Sequence, residues 1–159
     1  KKFDNLIVIR SLTKLFSIPG LRLGYMISSS KICQELNNMR DPWPVNSLAI
    51  KAGIKLLSSS EEYKKWIMKI HTWINIEKQW FTNELKKISN LKVHESSTNF
   101  FLIESKHSLM DGINYLSKKN ILIRECSSFR NLDDNWARIS LQTHEKNQII
   151  ALEIHKYFL

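Results

Sequence analysis

The chain has 159 residues, 43% hydrophobic and 25% charged, with a formal net charge of +9, enough for one or two modest globular domains with a real core. It holds no apolar run of membrane-spanning length, its first residues do not read as a signal peptide, and Cys33 and Cys126 are too few and too scattered for a disulfide framework, which favours a reducing compartment. Lys and Arg are spread through most segments rather than clustered with aromatics on one face, which argues against nucleic-acid binding and leaves a diffuse positive field that attracts small phosphorylated anions.

Leu6 to Ile9 run without alternation, which predicts a short strand buried on both faces, as in a parallel sheet. In open parallel sheets, ligands sit just beyond the carboxyl ends of the strands. Ser11, Thr13, Lys14 and, eight residues on, Arg22 follow at that place. Two hydroxyls and a guanidinium fork suit a dianionic phosphate, and a lysine among them can form an imine with a carbonyl compound. A phosphate and an aldehyde on one ligand describe pyridoxal phosphate.

Leu21 to Ile27 predicts a strand returning to the sheet, and Ser28 to Ser30 can cap a short amphipathic helix over 31–39. Asp41-Pro-Trp-Pro44 breaks it. A second helix is expected over 45–57, where Asn46 is either its N-cap or a site residue. Three serines and then Glu61 and Glu62 signal the start of the longest helix, over 61–88. Its apolar stripe, with Trp66, Trp73 and Trp80, is assigned to the core, and Glu77 interrupts it.

The rest alternates between strands and helices, an α+β pattern. Strands are expected at 91–94, 99–103, 121–123 and 137–141, with helices at 109–117 and 144–158. Alternation puts Ala137, Ile139 and Leu141 on one face and Arg138, Ser140 and Gln142 on the other. By itself, Arg138 reads as a solvent-facing strand arginine. Arg124 follows the 121–123 strand directly, and Cys126 reads as a small packing residue. The five histidines make no metal-ligand spacing with either cysteine, so no metal site is expected.

Ser11-Leu-Thr-Lys14 followed by Pro19-Gly-Leu-Arg-Leu-Gly-Tyr25 resembles the lysine segment of the class I/II aminotransferases, the fold-type I pyridoxal-phosphate enzymes. Residues 42–49 and 124–134 resemble the branch that holds threonine-phosphate decarboxylases and histidinol-phosphate aminotransferases, with Asn131 where glycine is common. The resemblance implies an α/β fold: the end of a mainly parallel large-domain sheet over 1–60, a long linking helix over 61–90 and a small α+β domain over 91–159. It implies Lys14 as the imine-forming catalytic lysine. Ser11 and Arg22 would hold the cofactor phosphate, and Thr13 would orient the lysine or add a donor. Arg138 would grip the substrate carboxylate, and Arg124 the far end of the substrate.

Chains of that family are much longer, with the lysine past the middle. This sequence therefore reads as a C-terminal portion, without the groups that contact the cofactor ring, and inactive by itself. The full-length protein is expected to be a cytoplasmic homodimer acting on a small phosphorylated amino acid or amino alcohol, with no nucleic-acid or membrane partner. Threonine-phosphate decarboxylase chemistry in cobalamin biosynthesis leads. Histidinol-phosphate or aromatic transamination is the alternative, and a non-catalytic basic binding module the reading from another class.

Overall fold

The computed structural model describes residues 3–158, which divide into two compact units at Lys65/Trp66. The first opens with β1 (Val8–Ser11) and a single helical turn α1 (Leu12–Leu15). A 3₁₀ turn at Pro19–Leu21 leads to β2 (Gly24–Ile27), which pairs antiparallel with β1 in the register Val8↔Ile27 to Ser11↔Gly24. Helices α2 (Ser30–Asn38) and α3 (Ser47–Leu57) follow, and α4 (Ser60–Leu85) starts in this unit and ends in the second.

The caps are as the sequence predicts. Ser29 Oγ accepts the Ile32 N–H of α2, and Asn46 Oδ1 accepts the Ala49 N–H of α3 at 2.8 Å. Asn46 is therefore an N-cap.

One expectation is corrected. The apolar run before Ser11 is not a strand buried in a parallel sheet among the described residues: β1 starts at Val8, its neighbour is antiparallel, and Ile9 is 79% exposed. The reason is the compact link between the strands. The α1 turn and the 3₁₀ turn fold the chain straight back, and the Leu12 N–H meets the Leu23 carbonyl at 3.1 Å, which closes the hairpin rather than a crossover.

Gly24 sits where that hairpin is tightest. A Cβ there would lie 2.8 Å from the Arg10 backbone carbonyl oxygen, which cannot swing aside. Gly24→Ala should force the strands apart at a cost of roughly 1–3 kcal/mol. A lower urea midpoint checks this, and an unchanged midpoint would contradict it.

The second unit holds β3 (Leu91–Val93), β4 (Phe100–Ser105), α5 (Met110–Lys118), β5 (Arg124–Glu125), β6 (Trp136–Ser140) and α6 (His144–Phe158). The strands form an antiparallel sheet in the order β3-β4-β6-β5. Alternation decides its faces. Phe101, Ile103, Ala137 and Ile139 are buried against Phe81 and Leu85 of α4, Leu116 of α5 and Ile154 of α6. Each such large side chain contributes about 1.5–3 kcal/mol. The other face carries Leu102, Glu104, Trp136 and Arg138.

Two further expectations shift. The strand predicted at Ile121–Ile123 forms instead at Arg124–Glu125, the residues that ladder with β6, and Leu122 is exposed. Of the three tryptophans assigned to the core, Trp80 packs against it, whereas Trp66 and Trp73 are more than a third exposed. The stripe runs the length of α4, but the core cluster meets only its C-terminal half.

Candidate active site

Lys14 is the third residue of α1, raised by the turn that follows β1. Its side chain is exposed, and its amine has no hydrogen-bond or ion-pair partner among the described residues. Ser11 occupies the N-cap position of that turn, yet its hydroxyl makes no capping bond and remains available. Thr13 differs: it is buried, and its hydroxyl faces the Leu23 carbonyl at 3.5 Å. That long contact ties the turn under Lys14 to the residue before β2.

Arg22 lies just before β2, and the Ser11↔Gly24 pair brings it back beside the start of α1. Its backbone is left-handed, at φ 51° and ψ 47°, and Ser17 in the same loop is also left-handed, at φ 54°. Such a conformation costs a non-glycine residue about 1–2 kcal/mol, and strain of this kind concentrates at functional sites. The Arg22 guanidinium is exposed and, among the described residues, donates to the Pro19 carbonyl of its own loop at 3.4 Å.

Arg124 and Arg138 stand directly opposite one another on β5 and β6. Like charges placed opposite on adjacent strands repel, and neither guanidinium has a carboxylate partner among the described residues. Aromatic faces support them instead. Arg138 lies 5.0 Å from the Phe100 ring centroid and Arg124 5.6 Å from that of Phe129. Arg124 also donates to Ser128 Oγ at 2.9 Å. Arg138 is half-buried, and its Nε is an enclosed donor with no hydrogen-bond partner among the described residues, an arrangement that suits an acceptor supplied by a ligand.

Three supports are not singled out by sequence pattern: Phe100, Phe129 and Ser128. The Arg-Glu-Cys-Ser-Ser-Phe spacing places the last two within one turn of Arg124, which is the local signal that could reveal them. Asn131 is left-handed at φ 66°. Asparagine is among the few residues besides glycine that accept this conformation, so asparagine in a glycine-like position is no conformational departure. Cys126 is buried beside Arg124, and desolvation raises its thiol pKa above the ordinary value, which makes it inert.

The residues present fit pyridoxal phosphate. Among the described residues, a lysine amine without a hydrogen-bond partner, a serine hydroxyl that makes no capping bond and a guanidinium bonded within its own loop offer the imine-forming amine and phosphate donors that such a group requires.

Comparison with known proteins identifies the family. The family model described as aminotransferase class I and II matches residues 1–154. A histidinol-phosphate aminotransferase of Ruminiclostridium cellulolyticum is 34% identical over 155 residues, covering 98% of this chain and 42% of that protein. The threonine-phosphate decarboxylase of Salmonella typhimurium is 32% identical over 142 residues, covering 89% of this chain and 38% of its own length. The crystal structure of L-threonine-O-3-phosphate decarboxylase from Porphyromonas gingivalis superposes with a TM-score of 0.85 at 30% identity, over 99% of this chain and 48% of that one. The chain thus spans less than half the length of these relatives.

Proposed function

The chain belongs to the class I and II aminotransferase family, and on that footing we propose that it is the C-terminal part of an enzyme that uses pyridoxal phosphate to act on a small phosphorylated amino acid. The leading reading is threonine-phosphate decarboxylase chemistry, serving cobalamin biosynthesis in the cytoplasm. Residues 1–60 then belong to the large cofactor domain, 61–90 to the linking helix and 91–159 to the small domain, within a homodimer.

The observation that supports the reading is the opposed pair Arg124 and Arg138, two guanidiniums on adjacent strands without a carboxylate partner among the described residues. They suit a substrate with two anionic groups, a carboxylate and a phosphate. Pyridoxal phosphate, when bound, supplies an electron sink for the bond broken at the substrate Cα. Ser11 and Arg22 bind its phosphate. Lys14 Nζ tethers it, and for transamination takes up and returns the Cα proton. Arg138 holds the substrate carboxylate and Arg124 its phosphate, so Arg138 sets which Cα bond is aligned for cleavage.

Histidinol-phosphate transamination is the second reading, favoured by the 34% identity to an aminotransferase with that substrate. Both reactions begin from the same lysine and differ in what Arg138 grips. The complete protein should release carbon dioxide from O-phospho-L-threonine. Glutamate formation from histidinol phosphate and 2-oxoglutarate, without carbon dioxide release, would replace the first reading by the second. Activity in neither assay would sink both.

A further inference from the structure

The strand that carries Arg138 has an unusual terminus. Its last paired residue is Ser140, opposite Phe100, and the Leu141 N–H still reaches the Asn99 carbonyl at 2.8 Å. Beyond that point Gln142 has no strand neighbour, and a strand end without partners frays. The Asn147 side chain takes the neighbour's place. Its Oδ1 accepts the Gln142 N–H at 2.9 Å, and its Nδ2 donates to the Gln142 carbonyl at 2.9 Å. These are the two bonds that a hydrogen-bonded residue of an adjacent antiparallel strand would exchange with Gln142.

The amide is itself anchored. Asn147 Nδ2 also donates to Glu77 Oε2 at 3.0 Å, and Asn147 is 0% exposed and Glu77 5%. A carboxylate buried this deeply on the apolar stripe of α4 is costly unless it is hydrogen-bonded. His144 Nδ1 completes its shell, 3.1 Å from both oxygens. Gln148 Nε2, which can only donate, faces His144 Nε2 at 3.1 Å. This set of contacts is met by the tautomer with the proton on Nδ1, directed at Glu77. A continuous chain of contacts therefore runs from α4 through Glu77 and Asn147 to Gln142, two residues beyond the end of β6 and four past Arg138.

We infer that Glu77 and Asn147 are positioning residues for the anion grip of Arg138, an inference that rests on the substrate-binding reading of Arg138 given above. A two-pronged guanidinium bond works only if the fork is held within about 0.5 Å of its productive place. The Arg138 side chain has no protein hydrogen bond at Nε to hold it and lies on the Phe100 ring. Its aim is therefore set by the backbone of β6. Phe100 and Ser140 are partners at the end of the ladder, so fraying from Gln142 would loosen both the strand and the ring beneath the guanidinium. This role explains why a carboxylate interrupts an apolar stripe: an apolar residue at 77 would leave the Asn147 amide without its anchor.

The test uses the full-length protein loaded with cofactor, with kcat and KM for O-phospho-L-threonine and hydrogen exchange at the Gln142 amide as readouts. Asn147→Leu should raise KM about tenfold, the equivalent of one lost hydrogen bond to a charged system, with kcat within about twofold and cofactor affinity unchanged. Exchange at Gln142 should accelerate. Glu77→Gln keeps an acceptor for Asn147 and should stay near wild type, whereas Glu77→Ala should follow Asn147→Leu. In an Arg138→Ala background the Asn147 change should add little further rise in KM. Should Asn147→Leu fold poorly, Asn147→Ser carries the same comparison. Variants that lose thermal stability while KM stays at the wild-type value would overturn the inference. An Arg138→Ala protein with unaltered KM would instead overturn the binding reading beneath it.

Discussion

In the full-length protein, Lys14→Ala should abolish turnover while leaving the fold intact. The expected loss in kcat is about 10³-fold or more, because in the proposed function the residue both tethers the reactive carbonyl and carries a proton, and general acid–base roles alone are worth about 10²–10⁴-fold. Stability should hardly change. The Lys14 side chain is exposed and has no hydrogen-bond or ion-pair partner among the described residues, and surface truncations of that kind stay within about 0.5 kcal/mol. The two outcomes together are diagnostic. A lysine that served the fold would show the reverse pattern, a lower melting temperature with activity per folded molecule preserved. Steady-state kinetics beside a thermal melt separates them.

Arg138→Ala should cost roughly 2–5 kcal/mol in substrate binding, the range for removing one partner of a hydrogen-bonded charge pair, and it should appear in KM more than in cofactor affinity. Arg138→Lys should recover little, since a point charge cannot reproduce the two parallel bonds of a guanidinium. The free protein should respond in the opposite sense. Arg124 stands directly opposite, so removing Arg138 relieves a like-charge contact, and it strands no internal acceptor because Nε has none. What is lost is the stack on Phe100, worth about 0.5–1 kcal/mol at a partly exposed site. Stability without ligand should therefore be near wild type or slightly higher, and the stabilisation by phosphothreonine that the proposed function predicts for the wild type should be absent from the variant. Melting temperatures with and without the ligand check both halves. A large destabilisation of the free protein would assign Arg138 to the fold instead of the site.

The same particulars show what a sequence can and cannot convey. Local chemistry is legible: Ser29 and Asn46 cap the helices they precede, and Ala137, Ile139 and Leu141 are buried as alternation requires. The lysine loop is legible because its residues are contiguous. Pairing is not. Nothing in the order of residues states that β1 meets β2 antiparallel, or that Arg124 faces Arg138, since register arises from how the links fold. Glu77 is visible as a break in the α4 stripe, but its partner Asn147 lies 70 residues away. An Asn at one position and a Glu so far along the chain have no shared pattern to reveal them. The strand at Arg124–Glu125 escaped for a related reason: Ile121 to Ile123 are the more apolar residues, while laddering with β6 decides where the strand forms.

The central claim is that Lys14 is the residue that carries pyridoxal phosphate. Borohydride reduction of the full-length protein loaded with that cofactor, followed by peptide mapping, tests it most directly. The account predicts a pyridoxyl group on Lys14 and its disappearance in Lys14→Ala. A stable label on a different lysine, or none on a protein that binds the cofactor, would contradict it.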